Sequence, residues 1–136
     1  MLKLICGMLL LITSLRAFAC CEDMVQKLVD DGNYSKAYLE FLDCYDKGNH
    51  EQVFALAVLY MNSSEDKSEL DEKTNIEIVE LLKKSLQEGH LKSRLLLAEL
   101  YYSDKFKGIT QNKKLSKCLR DDTNADSFYE NCFEVK

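Results

Sequence analysis

Two stretches of this chain echo one another at an offset of 41 residues, and that echo restricts the fold more than any other feature. Leu81 to Tyr102, LLKKSLQEGHLKSRLLLAELYY, reads as the end of one amphipathic helix, a turn at Gly89 and His90, and a second helix carrying Leu95, Leu97, Ala98, Leu100 and Tyr101. The same skeleton stands upstream, where Gly48 matches Gly89, Leu56 matches Leu97, Ala57 matches Ala98, Leu59 matches Leu100 and Tyr60 matches Tyr101. A duplicated helix-turn-helix unit buries its apolar face by stacking on its neighbours. The expected fold is therefore all-α, a short α-solenoid of antiparallel helix pairs with capping helices.

Composition agrees with that expectation. The 136 residues contain no Pro and only 5 Gly, so the punctuation of a β-rich fold is missing. Hydrophobic residues make up 46% and charged residues 30%, the balance of one globular domain. A formal net charge of -5 argues against nucleic acid as a partner, because that role needs a basic face.

The first segment reads as an address. Residues 1–19 hold an early Lys3, an apolar run from Leu4 to Leu15, and Ala17-Phe18-Ala19 with small residues where a signal peptidase cuts. The run is short for a permanent membrane helix. The expected products are a signal peptide at 1–19 and a single helical-repeat domain at 20–136, exported across an inner membrane into the periplasm. Cys20 follows the cleavage point, and a lipid anchor at this cysteine is the alternative to a free or trimmed thiol. Arg16 and Phe18 sit poorly with a lipoprotein site.

Once Cys6 has left with the leader, Cys20, Cys21, Cys44, Cys118 and Cys132 remain. Setting Cys20 aside leaves four, enough for two bridges in an oxidising compartment and open to three pairings. Cys21 with Cys44 is favoured because they fall at the start of one helix and the end of the next. Cys118 with Cys132 would then pin the C-terminal tail. No Cys-x-x-Cys occurs and His50 and His90 are the only histidines, so neither a metal nor a cofactor is expected.

Taken in order, the periodicity predicts a short opening helix over Glu22 to Asp31, with Met24, Val25, Leu28 and Val29 recurring at helical spacing. A second helix, Tyr34 to Asp46, places Ala37, Tyr38, Phe41, Leu42 and Tyr45 on one face, and Gly48 suits its left-handed cap. His50 to Met61 is its partner. Asn62 to Lys73 reads as a solvated insertion, Thr74 to Gln87 as a helix with Ile76, Ile78, Val79, Leu82 and Leu86, and Leu91 to Ser103 as the next. A further helix starts at Lys113 and runs to Leu119. The repeat core thus spans about 34–119, with a cap at 121–136 in which Ser127 to Val135 is helical.

A third copy aligns Leu82 to Leu86 with Leu115 to Leu119 and with Phe41 to Tyr45, so that one small-residue slot holds Cys44, Ser85 and Cys118. The connector Gly108 to Asn112-Lys113-Lys114, the exit Glu88-Gly89-His90 and the run Leu95, Leu97, Ala98, Leu100, Tyr101, Tyr102 together resemble the Sel-one-like repeat, a relative of the tetratricopeptide repeat. The resemblance covers Tyr34 to Leu119. It implies a right-handed superhelix of helix pairs serving as a recognition surface for a protein partner. Exported members include envelope scaffolds, and some are similar to periplasmic immunity proteins that neutralise a secreted toxin. Other cysteine-rich members bind or hydrolyse β-lactams, but with a disulfide in every repeat, which Ser85 precludes.

The sequence holds no nucleophile elbow, phosphate loop, dinucleotide fingerprint or His-Glu-x-x-His. His50 and His90 stand at nearly equivalent turns and could share an edge, although a polar residue at a helix start is the plainer account. Tyr60, Tyr101 and Tyr102 could line a groove, but aromatics among leucines at helical spacing read as core. Asn33-Tyr34-Ser35 and Asn62-Ser63-Ser64 fit the glycosylation acceptor of a eukaryotic secretory pathway. The expectation is a non-enzymatic exported module that binds a secreted effector or envelope protein. The alternative is a cysteine-rich hydrolase acting on cell-wall or β-lactam substrates.

Overall fold

The computed structural model of the chain describes residues 21–63, 70–121 and 128–133, and within them the backbone forms seven helices and no strand. The leader, Cys20 and most of the predicted insertion lie outside these residues. Helix α1 covers residues 21–30. It is followed by α2 (Tyr34–Leu42), α3 (His50–Asn62), α4 (Glu72–Gln87), α5 (Ser93–Tyr102), α6 (Lys113–Arg120) and α7 (Phe128–Phe133). From α2 onward each helix packs on the next in sequence, and α7 also reaches α4 while α3 touches α5.

One device starts four of these helices. The side chains of Asn33, Asn49, Asp71 and Asn112 accept the backbone N–H three residues on, from Lys36, Gln52, Thr74 and Leu115. Each satisfies a donor that the first turn leaves without an intrahelical partner, and an Asn cap of this kind contributes about 1 kcal/mol. The exits differ. After α4, Gly89 takes a φ of 98° while the N–H of His90 reaches back to Ser85 O at 2.9 Å, a closure that an L side chain resists.

The core runs through every helix. Leu56, Leu82, Leu97, Leu100 and Leu119 are fully buried, and Ala37, Ala57 and Ala98 let neighbouring backbones approach closely. Each buried leucine stabilises the fold by about 1.5–3 kcal/mol. Of the echoed positions, Leu56, Ala57, Leu59, Tyr60, Leu97, Ala98 and Leu100 are buried and Tyr101 is half-buried against the core. Cys21 is joined to Cys44 and Cys118 to Cys132, with Cα–Cα separations of 6.6 and 5.8 Å. Two disulfides fit an oxidising compartment.

Several sequence expectations change. Helix α2 stops at Leu42 rather than Asp46: the N–H groups of Cys44 and Tyr45 both close onto Phe41 O, and the chain then turns at Asp46, whose Oδ1 accepts the Gly48 N–H at 2.8 Å and whose own N–H donates to Gln52 Oε1. Gly48 accordingly does not adopt a positive φ and is no left-handed cap. Helix α4 begins at Glu72, two residues early, because Asp71 rather than Lys73 supplies the cap. Residues 91 and 92 form a turn, so α5 starts at Ser93. Met24, Leu42, Ile76 and Leu95 are exposed on outer helix faces, although periodicity put them with the core.

Candidate functional site

Helix α3 is apolar almost all round, from Val53 through Tyr60, and a helix of that kind needs partners on more than one side. Its inner face meets α2 and α4. On its other side α3 and α1 wall an open groove of about 610 Å³ with Phe41 at its base. Lining positions Glu22, Val25, Gln26 and Val29 on α1 follow i, i+3, i+4, i+7 spacing. Across from them Glu51, Phe54, Ala55 and Val58 on α3 do the same. The walls are apolar and the rim is acidic and amide-bearing, through Glu22, Glu51, Gln26 and Gln52.

The groove stays open because of how α1 is held. Its first residue is bridged to Cys44, just beyond α2. Its far end is turned by Gly32 at φ 73°, with the Asn33 N–H on Leu28 O at 2.8 Å. Fixed at both ends, the helix faces α3 with valines, and the small Ala55 leaves the space between them unfilled.

Beside Glu51 and Phe54 lies the histidine pair. The His50 and His90 rings are 6.0 Å apart, and Phe54 stands 5.8 Å from His90. The helices exchange contacts reciprocally. His50, at the start of α3, places Nδ1 3.1 Å from Ser85 Oγ and Nε2 3.0 Å from Glu88 at the end of α4. His90, after α4, places Nδ1 2.8 Å from Ser93 Oγ and Nε2 3.2 Å from Glu51 Oε1. The last contact is close but misaligned for a hydrogen bond, so the buried Nε2 of His90 has no hydrogen-bond partner. Lys92 donates to both oxygens of Glu51 at 3.1 and 3.3 Å. Those bonds, followed by the His90 contact, hold the Glu51 carboxyl below its ordinary value.

The two serine-histidine-glutamate sets look like triads but are not arranged for nucleophilic attack. Ser85 is 2% exposed and Ser93 is fully buried, so neither hydroxyl can meet a substrate, and each histidine presents Nδ1 rather than Nε2 to its serine. Among the described residues no three metal-ligating side chains converge, and no helix is long and apolar enough to cross a membrane.

Other expected site residues are scattered. Tyr60 points inward to Asn75, Tyr101 packs at a tilt against Phe133 with centroids 6.2 Å apart, and of the three only Tyr102 is exposed. Periodicity missed the α1–α3 groove, yet the unbroken apolar run of α3 carried its signal. No protein-family model, curated protein or solved structure matches the chain.

Proposed function

We propose that this chain is an exported helical-repeat module that binds a protein partner by taking an amphipathic helix into the α1–α3 groove. The observation that carries the reading is the pair of facing apolar stripes, Val25 and Val29 against Phe54, Ala55 and Val58. Two helix walls with apolar residues one turn apart match the ridges of a third helix, and helix-in-groove recognition reads i, i+3, i+4, i+7 anchors in this way. Of the two rim carboxylates Glu51 is already held by Lys92, which leaves Glu22, with the amides of Gln26 and Gln52 beside it, to favour a helix whose apolar face is flanked by Lys or Arg.

The α3 wall is braced because each helix from α2 onward packs on the next, and the α1 wall is tied to the chain just beyond α2 by the Cys21–Cys44 bridge. The disulfides and the leader-like segment at 1–19 support export. A periplasmic immunity protein is the narrower form of the same proposal, with a secreted toxin as the captured partner.

The test exposes the mature domain, disulfides intact, to envelope and secreted extracts of its source. A partner retained one-to-one by the native chain and lost on Ala55→Arg, with helicity unchanged, supports the groove. A toxic enzyme that is inactive while bound supports the narrower role. Equal retention by Ala55→Arg removes the groove from the account.

A further inference from the structure

Between Lys105 and Arg120 the chain carries six cations and no anion, although its formal net charge is -5. Four of the cations, Lys113, Lys114, Lys117 and Arg120, are exposed on the eight residues of α6. Lys113, Lys117 and Arg120 follow i, i+4, i+7 spacing and so form one stripe along the helix. Tyr102, at the end of α5, lies against that stripe. Its ring is 6.0 Å from Lys113 Nζ and 5.3 Å from Arg120 Cζ, and it remains 51% exposed. Two turns earlier on the same face of α5, Leu95 is 53% exposed.

Among the described residues one ion pair to the stripe stands out. Glu99 accepts from Arg120 at 3.1 Å. Among the described residues no carboxylate lies within ion-pair distance of Lys113, Lys114 or Lys117. Like charges this close repel one another, so the native chain carries an unfavourable arrangement that an incoming anion relieves.

We infer that α6 and the adjoining face of α5 form a docking surface for a short acidic protein segment bearing one or two apolar side chains. The ammonium groups meet its carboxylates, and Tyr102 and Leu95 cover its apolar residues. The size of the patch selects a short segment. An eight-residue helix is about 12 Å long, and fields from exposed charges fade within about 8 Å at physiological salt. An extended polyanion or an anionic bilayer would reach past the stripe to the acidic remainder of the chain, whereas a short segment would not. This surface is separate from the α1–α3 groove, and either can fail without the other.

The probe is a short oligoglutamate peptide carrying two leucines, titrated into the disulfide-intact mature chain and followed by amide chemical shifts. Saturable binding is expected, with shifts at Tyr102, Lys113 and Lys117, weakening as salt rises. The double variant Lys113→Glu/Lys117→Glu should bind about tenfold or more weakly with unchanged helicity. Lys114→Ala, off the stripe, should bind within about twofold of the native chain. Absence of saturable binding overturns the inference, as does equal binding by the double variant. Tighter binding to phosphatidylglycerol vesicles or to a single-stranded oligonucleotide would also overturn it.

Discussion

The Tyr60 hydroxyl donates to the Oδ1 of Asn75 at 2.9 Å, inside the molecule, and the Asn75 amide in turn donates to Lys107 O at 3.0 Å. This relay links α3, α4 and the connector before α6 through an asparagine that is wholly buried. Burial is the main reason the Tyr60 phenol is pushed up to about 12. Tyr60→Phe leaves a buried acceptor unsatisfied and should cost about 1–3 kcal/mol in urea unfolding.

The same phenol sets an alkaline limit. Its folded value lies above the unfolded value of about 10, so between them the folded chain holds the proton more often. The contribution is complete below pH about 10 and disappears as pH rises towards 12. Melts of the native chain should fall across that window, and those of Tyr60→Phe should fall less.

The echoed glycines are not equivalent. Gly89 sits at φ 98° and Gly48 does not take a positive φ. Gly89→Ala should therefore destabilise by about 1 kcal/mol, while Gly48→Ala needs only a small shift of the exposed Asp46 carboxylate and should stay within about 0.5 kcal/mol. Gly108→Ala should be worst of the three, because a Cβ there would come 2.6 Å from Glu72 Cγ at φ 78°. Thermal melts of the three variants give the order directly.

The short helix α7 is held by the Cys118–Cys132 bridge and by the ring of Phe133, which meets Tyr129 on its own helix and Tyr101 on α5. A bridge closing a loop of this length contributes about 3 kcal/mol in the chain-entropy picture. The double variant Cys118→Ser/Cys132→Ser should lose about that much, with amide exchange rising first in residues 128–133.

Asp71 caps α4 with one oxygen, Oδ2, which accepts both the Thr74 hydroxyl and its N–H at 2.8 Å. These bonds hold the carboxyl below its ordinary 3.8. A depressed carboxylate contributes fully above the unfolded value and loses its contribution as pH falls through the folded one. The native chain should weaken below pH about 3.8, whereas Asp71→Asn, which keeps a capping oxygen, should lose this part of the pH dependence. Paired melts from pH 5 downward test it.

Sequence periodicity located the helices well wherever apolar residues recur every three or four positions, as at Ile78, Val79, Leu82 and Leu86. Helix ends were less legible, since α2 closes at Leu42 through backbone bonds from Cys44 and Tyr45 to Phe41 O that no apolar pattern records. Asn75 escaped notice because an asparagine reads as surface, although it falls on the stripe of Ile78, Val79 and Leu82. The exposure of Leu95 and Met24 depends on which neighbour covers each helix face, a property of packing rather than of spacing. The approach of His50 to His90 was visible as a near-coincidence of turn positions, while their reciprocal contacts with Glu88 and Glu51 needed the packing of α3 on α4.

The most direct test of the groove uses an amphipathic helical peptide with a leucine face and lysine flanks, titrated into the native chain while amide and methyl shifts are followed. Saturable perturbation of Val25, Val29, Ala55 and Val58, abolished by Ala55→Arg and weakened when glutamates replace the flanking lysines, is the predicted result. Perturbation confined to other surfaces, or none at any peptide concentration, would contradict the assignment of the α1–α3 groove as a helix-binding site.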